Sequence, residues 1–326
     1  MASAILHSPI CRFILKVGRA VPVVVILIIV SLSYYVYVFQ TVPLLTSSWY
    51  LRVPLYIAFH ILLCLFLLSY FMTVMAPLPE IPAKYYLTRD ALMDFWAEKS
   101  EVGRNDVLFR YISQNSISTL NVSPSEGPRF CGQCKCIKPD RSHHCSICSR
   151  CVLRYDHHCP WVNNCVHNNN YKFFLLFLFY GVVLCLYVLC TSLSTFISFW
   201  KGKPVPQDMI SNFGSLFLPF LAFLFGLSMS CLLFYHIYLV CRNKTTVEQW
   251  NPPHFDYGPD PGAYNLGSYR NFKQIFGDKP LLWLLPVHST VYDGLGFPHR
   301  AQTSTTTSTS QSYRPLPSET LGHPMV

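Results

Sequence analysis

The sequence predicts an α-helical membrane protein: four transmembrane helices with a cytosolic, two-zinc cysteine-rich domain between helices 2 and 3. Three observations predict it. Of the 326 residues, 51% are hydrophobic and only 13% charged, which is too apolar for an ordinary soluble domain. Four windows, 20–51, 53–79, 173–200 and 209–241, contain no Asp, Glu, Lys or Arg, and about 20 apolar residues suffice to cross a bilayer's hydrocarbon core. Between the second and third windows, residues 131–165 hold eight cysteines with several histidines among them.

Taken in order, residues 1–19 form a cytosolic basic lead with Arg12, Lys16 and Arg19. The first apolar run is too long for a cleaved signal peptide, and no A-x-A-like site follows it. Residues 20–79 hold helices 1 and 2, expected as a hairpin with a link of about a dozen residues. Pro77, Pro79 and Pro82 stop helix 2, because proline has no N–H for the helical ladder. Residues 80–127 form a cytosolic interfacial connector, helical in two pieces within 85–115. Leu92, Phe95 and Trp96 share one face, and Leu108, Tyr111 and Ile112 another; the alternative is a soluble packing role. The cysteine-rich zinc domain covers 128–170 and helices 3 and 4 cover 171–241. A cytosolic C-terminal domain covers 242–298, and a disordered tail rich in Ser, Thr and Pro covers 299–326.

Twenty-two of the 25 Lys and Arg lie in the lead, in the 76–172 loop or after 241. Only Arg52, Lys201 and Lys203 lie in the other two loops. Basic residues stay on the cytosolic side, so both termini and the cysteine-rich loop face the cytosol. The net charge of +9 then suits a bilayer surface and anionic ligands. Spread around four spans, it makes no nucleic-acid-binding patch, and no nucleic-acid partner is expected. The glycosylation sequons at Asn121 and Asn243 face the cytosol and are read as unused.

A reducing cytosol disfavours disulfides and favours zinc. The C-x2-C pairs Cys131/Cys134 and Cys145/Cys148 have knuckle spacing. A unit this small, expected to be short strands and turns, cannot bury a core of its own. Two tetrahedral zincs take eight ligands in all. Cys131, Cys134, Cys136, Cys145, Cys148, Cys151, Cys159 and Cys165 compete for those places with His143, His144, His157, His158 and His167. Spacing alone does not divide them, but a thiol is left over.

Asp156, His157, His158 and Cys159 are consecutive. A free thiol has a pKa near about 8.5; a histidine in reach can take its proton, and a carboxylate can orient that histidine. Adjacent residues cannot all point one way, so if His158 turns to zinc, His157 can turn to Cys159. A RING-like docking module would need neither the spare thiol nor its histidine. A zinc transporter would need ligands inside the spans, where the only histidines are His60 and His236.

Over these residues the chain resembles the DHHC family of integral-membrane protein S-acyltransferases, the palmitoyltransferases. The likeness rests on Cys131-Gly-Gln-Cys134, Lys138-Pro-Asp-Arg141, Ser142-His-His-Cys145 and Asp156-His-His-Cys-Pro-Trp-Val-Asn-Asn-Cys165. Thr245-Thr-Val-Glu248 is similar to the family's TTxE motif, and 265–277, with Asn271 and Phe272, to its C-terminal aromatic motif. The resemblance implies that Cys131, Cys134, His144 and Cys151 hold one structural zinc, and Cys145, Cys148, His158 and Cys165 the other. Cys159 would carry the acyl group, with His157 as its base and Asp156 orienting that base. A long-chain acyl group, mainly palmitoyl, would pass from acyl-CoA through acyl-Cys159 to cysteines of membrane-associated proteins at the cytosolic face. The resemblance also implies a multi-pass protein of the Golgi, with the plasma membrane or endosomes as alternatives.

Within that reading, Trp161, Phe174 and Phe177 line the mouth of an acyl cavity, and Ser33 and Leu184 meet at its far end. Lys138 and Arg141 are candidate partners for the coenzyme A phosphates. Thr246 would hold the Asp156 region, and Asn271 would tie the tail to the helices. Two features depart from the family pattern. Its DPG motif after helix 2 is replaced by Ala76-Pro-Leu-Pro-Glu80, while a literal Asp260-Pro-Gly262 stands in the tail and is read as a turn. Cys136 has no assigned role and is read as a small exposed residue, or else as a second acylation site. Cys11 and Cys241, at membrane ends, are positioned to be acylated themselves.

Overall fold

The computed structural model describes residues 9–201, 209–290 and 292–300. The tail from 301 onward, residues 1–8 of the basic lead and the side chain of Cys11 lie outside the described residues. Among those described, four helices are long and apolar enough to cross a membrane: Val17–Leu45, Trp49–Met75, Tyr171–Ser198 and Leu216–Arg242, here spans 1 to 4. Span 1 loosens into a π-helical turn at Val36–Thr41 before it ends at Leu45. Its link to span 2 is three residues, 46–48, not the dozen expected. The reason is Arg52, one turn into span 2. Its Nε donates to Thr46 O at 2.6 Å and its Nη2 to Pro43 O at 3.1 Å, capping carbonyls that the end of a helix leaves unpaired.

Spans 3 and 4 form an antiparallel hairpin against which span 2 packs. Close approach there depends on Gly181, where a Cβ would collide with the Met229 side chain and press on Phe66. The end of span 2 is capped from outside. Asn164 Nδ2 donates to Thr73 O, Val74 O and Ala76 O at 3.2, 3.2 and 2.9 Å, so the segment that replaces the family's DPG motif is held by the cysteine-rich module. Asp260-Pro-Gly262 is a turn, with Gly262 N donating to Asp260 Oδ1 at 2.8 Å.

The module is built from three two-stranded antiparallel hairpins: β1 (Phe130–Cys131) with β2 (Cys136–Ile137), β3 (His143–Cys145) with β4 (Arg150–Val152), and β5 (His157–Cys159) with β6 (Asn164–Val166). Helices Arg89–Ala97 and Glu101–Gln114 are N-capped by the Thr88 and Ser100 side chains. Their apolar faces, with Phe95, Leu108 and Tyr111, pack on Ile137, Cys151 and Leu153. The packing alternative therefore accounts for these faces better than an interfacial one; Trp96 is left exposed.

A buried ion pair joins the module to the segment after span 4. Arg141 donates from Nε and Nη2 to the two Glu248 carboxylate oxygens, both at 2.7 Å, and from Nη1 and Nη2 to Asn243 Oδ1 and O at 3.1 and 2.8 Å. The side chains are 0% and 4% exposed. Glu248 also closes a capping box with Thr245 at the start of the short helix Thr246–Trp250. Asn243 is buried beside it, and so is Asn121, whose Oδ1 accepts from the Arg141 N–H at 3.4 Å; this fits their being unused sequons. Removing one partner of a buried pair strands a charge and costs about 3–5 kcal/mol. Glu248→Gln should lower the melting temperature of the detergent-solubilised protein by several degrees. A fall no larger than that for Lys273→Gln, which breaks the surface pair with Asp278, would contradict this account.

Candidate active site and metal centres

Two clusters have the donors and dimensions of tetrahedral zinc sites. Cys131, Cys134, His144 and Cys151 form one, and Cys145, Cys148, His158 and Cys165 the other; in each the ligand atoms all lie within 4.8 Å of one another. With Zn–S about 2.3 Å and Zn–N about 2.0 Å, neighbouring ligands of a tetrahedron stand about 3.5–3.8 Å apart. Here His144 Nδ1 lies 3.6, 3.2 and 3.9 Å from the sulfurs of Cys131, Cys134 and Cys151. His158 Nδ1 lies 3.7, 3.4 and 3.6 Å from those of Cys145, Cys148 and Cys165. Each C-x2-C pair forms a knuckle in which the second cysteine's N–H donates to the first cysteine's sulfur at 3.4 Å. The residue after each pair, Lys135 or Ser149, takes a left-handed φ of 57° or 54°. The donor set, three thiols and an imidazole, suits zinc.

The second cluster fixes strand β5. Successive strand residues face opposite sides, so anchoring His158 in the metal cluster turns His157 and Cys159 together to the other side. There Asp156 Oδ2 accepts from His157 Nδ1 at 2.7 Å. The carboxylate is held in turn by Thr246, whose N–H donates to Oδ1 at 3.0 Å and whose hydroxyl donates to Oδ2 at 2.7 Å. With Nδ1 taken, His157 keeps Nε2 for Cys159. Burial alone would lower the His157 pKa, but its hydrogen bonds to Asp156 and Cys159, with their charges, raise it to about 9. Burial would likewise raise that of Asp156, and the bonds to His157 and Thr246 bring it below its ordinary value. The arrangement can accept and hold a proton beside a thiol.

An apolar cavity of about 270 Å³ opens at this point and runs between the spans. His157, Cys159, Trp161, Phe174 and Phe177 line its polar end, and Ser33 and Leu184 lie deeper along it. Tyr70 steadies the mouth by donating to Trp161 O at 2.9 Å. From Phe174 to Leu184 is ten residues of helix, about 15 Å, a depth suited to a long acyl chain and far beyond an acetyl group.

Asn271 Nδ2 donates to Cys241 O at 2.8 Å, tying the tail to span 4. Lys138 is half-buried beside His143, whose charged form its own charge disfavours after burial and Arg129. Arg141 corrects an expectation: it is fully buried with its fork spent on Glu248 and Asn243, so it cannot meet a coenzyme A phosphate. Cys136 corrects another. It is 0% exposed and sits in the core beside Cys151, neither a surface residue nor open to acylation. His236, which the sequence marks only as a histidine inside a span and gives no part in the site, is brought to the site by the fold. It is buried, its Nδ1 lies 3.0 Å from Tyr171 Oη, its ring is 5.7 Å from that of His157, and it clusters with Asp156 and His157. The usable signal was an ionisable residue inside a span, which marks a site by default.

Comparison with known proteins agrees with this geometry. A family model described as DHHC palmitoyltransferase matches residues 124–253. Palmitoyltransferase ZDHHC15 of Homo sapiens is 40% identical over 291 residues, covering 89% of this chain and 84% of its own. Palmitoyltransferase ZDHHC2 of Homo sapiens is 41% identical over 286 residues, covering 85% of this chain and 75% of its own. For palmitoyltransferase ZDHHC20 of Homo sapiens the values are 39% over 283 residues, 86% and 76%. With the two Cys/His clusters, the spare thiol beside a histidine–carboxylate pair and four apolar helices, the chain belongs to the DHHC family of membrane protein S-palmitoyltransferases.

Proposed function

We propose that the protein moves a long-chain acyl group, chiefly palmitoyl, from acyl-CoA onto Cys159 and from there to cysteines of membrane-associated proteins at the cytosolic face. One observation carries this reading: the Asp156–His157 pair and Cys159 open directly into an apolar cavity between the spans. In the first step His157 Nε2 takes the thiol proton and Cys159 Sγ attacks the thioester carbonyl. The coenzyme A sulfur leaves and recovers the proton. In the second step a substrate cysteine gives its proton to His157 and attacks the acyl-Cys159 carbonyl, and the proton returns to Cys159. Asp156, held by Thr246, keeps the His157 ring in register for both transfers.

Two zinc ions at the four-ligand clusters would serve as structural ties. Lys138 remains a candidate for the coenzyme A phosphates. The basic-residue bias supports cytosolic termini, and the family resemblance supports a Golgi membrane. Burying each CH2 is worth about 0.8 kcal/mol, so a long chain held in the cavity during both steps contributes on the order of 10 kcal/mol. That term explains why the chemistry sits at the bilayer surface.

Three outcomes test the proposal. Incubated with labelled palmitoyl-CoA, the purified protein should acquire a hydroxylamine-labile label that Cys159→Ser lacks, and His157→Ala should slow labelling by about 10²–10⁴. Equal labelling of the Ser variant would sink the assignment of Cys159. Metal analysis should find two zincs per chain. Cys165→Ser should lose one zinc and most labelling, although Cys165 faces away from the cavity on the metal side; retention of both would remove the structural tie. In competition between acyl-CoA lengths, Leu184→Trp should shift preference to shorter chains by about fourfold for each CH2 excluded. An unchanged length profile would show that the chain does not reach Leu184.

A further inference from the structure

Residues 280–292 contain no Asp, Glu, Lys or Arg, and they follow the short helix Ser268–Phe276 in a region read as cytosolic. Their apolar side chains are not folded away. Leu281 is 92% exposed, Leu284 55%, Leu285 44% and Val287 40%. An aqueous loop with this surface would be a liability.

Much of the segment's backbone is paired from within the protein. Lys172, the second residue of span 3, is itself buried, and its ammonium donates to Leu282 O at 2.8 Å, Val287 O at 3.0 Å and Ser289 Oγ at 2.8 Å. The Tyr180 hydroxyl donates to Leu284 O. Leu282, Trp283, Leu285 and Val287 donate their N–H groups to Lys279 O, Pro280 O, Leu282 O and Leu285 O. Trp283 Nε1 donates to Gly277 O at 2.9 Å, and its ring packs on Phe272 and Phe276. Non-helical backbone is tolerated at membrane depth only when its polar groups are satisfied in this way.

The depth can be read from span 3. Its 28 residues measure about 42 Å against a hydrocarbon core of about 30 Å, which leaves about four residues at each end among the headgroups. Tyr180 lies nine residues past Tyr171, about 13 Å along the axis. Even with its ring leaning back toward the helix start, its hydroxyl meets Leu284 at about the hydrocarbon boundary. We infer that residues 280–287 form a re-entrant apolar hook whose outward leucines are inserted among the acyl chains of the cytosolic leaflet. Lys172 and Tyr180 hold it against span 3.

The test uses the full chain in phosphatidylcholine vesicles, with the photo-crosslinking residue p-benzoylphenylalanine placed singly at Leu281, at Phe220 on the exposed face of span 4, or at Tyr257 on the exposed C-terminal region. Position 281, almost wholly exposed, should accept the residue without repacking. Irradiation should give phospholipid adducts mapping to acyl-chain carbons at 281 and 220, and none at 257. If 281 follows 257, or cross-links to a second copy of the protein while 220 labels lipid, the hook does not lie in the bilayer.

Discussion

The buried pair of Arg141 and Glu248 holds the two halves of this protein in one register. The cysteine-rich module has almost no apolar core of its own, and the spans give much of their apolar surface to lipid. Val162 and Val166 pack against the spans, but such burial is non-directional and does not by itself fix the module's register. A charged pair does, because its geometry is directional. Taking both charges out of water is expensive, and such pairs are weak sources of net stability. Here the guanidinium fork is matched by the carboxylate and by Asn243, with the Tyr264 and Phe297 rings 4.4 and 4.9 Å from its Cζ. The interaction acts mainly to specify position. Glu248 lies two residues from Thr246, on the same short helix, so the pair that seats the module also delivers Thr246 to Asp156.

The site then lies on a boundary between two solvents. On one side stand the buried Asp156 and His236 and the half-buried Thr246, each hydrogen-bonded. On the other, the cavity lining is almost wholly carbon. A thioester with a long chain has the same division, a polar carbonyl and coenzyme at one end and a hydrocarbon tail at the other. Cys159 falls where the two meet. His236 extends the polar side into span 4, and its neighbours Tyr171 and Phe174 come from span 3. The histidine that faces Cys159 is thus walled by two of the four helices that line the cavity.

Much of this was legible in the chain. Charge-free windows gave the four spans to within about two helical turns at each end, and knuckle spacing with leftover ligands gave two candidate metal clusters and a spare thiol. What periodicity and spacing could not give were contacts between segments distant in sequence. Arg141 read as a surface cation because its partner lies 107 residues away. Cys136 read as exposed because a two-residue strand has no pattern from which to infer burial. Arg52 read as part of a long loop, although its long side chain closes a short one by reaching back to Thr46 and Pro43. The resemblance assigned Thr246 and Asn271, and local sequence would have left both as ordinary polar residues.

The alternation along β5 explains how the Cys/His clusters, whose metal-ligating residues are absent from the cavity lining, bear on the geometry at its mouth. A strand of three residues has no hydrophobic face strong enough to fix its register, and a slip of one residue would exchange its two sides. Anchoring His158 among three sulfurs removes that freedom. The same anchor that faces His158 inward turns His157 and Cys159 outward together, toward Asp156 and the cavity. Cys165 is paired opposite His158 on β6, so both strands of the hairpin are pinned at one point. Without that point Asp156, His157 and Cys159 would still be close in sequence, but nothing would keep the thiol and the imidazole on one side.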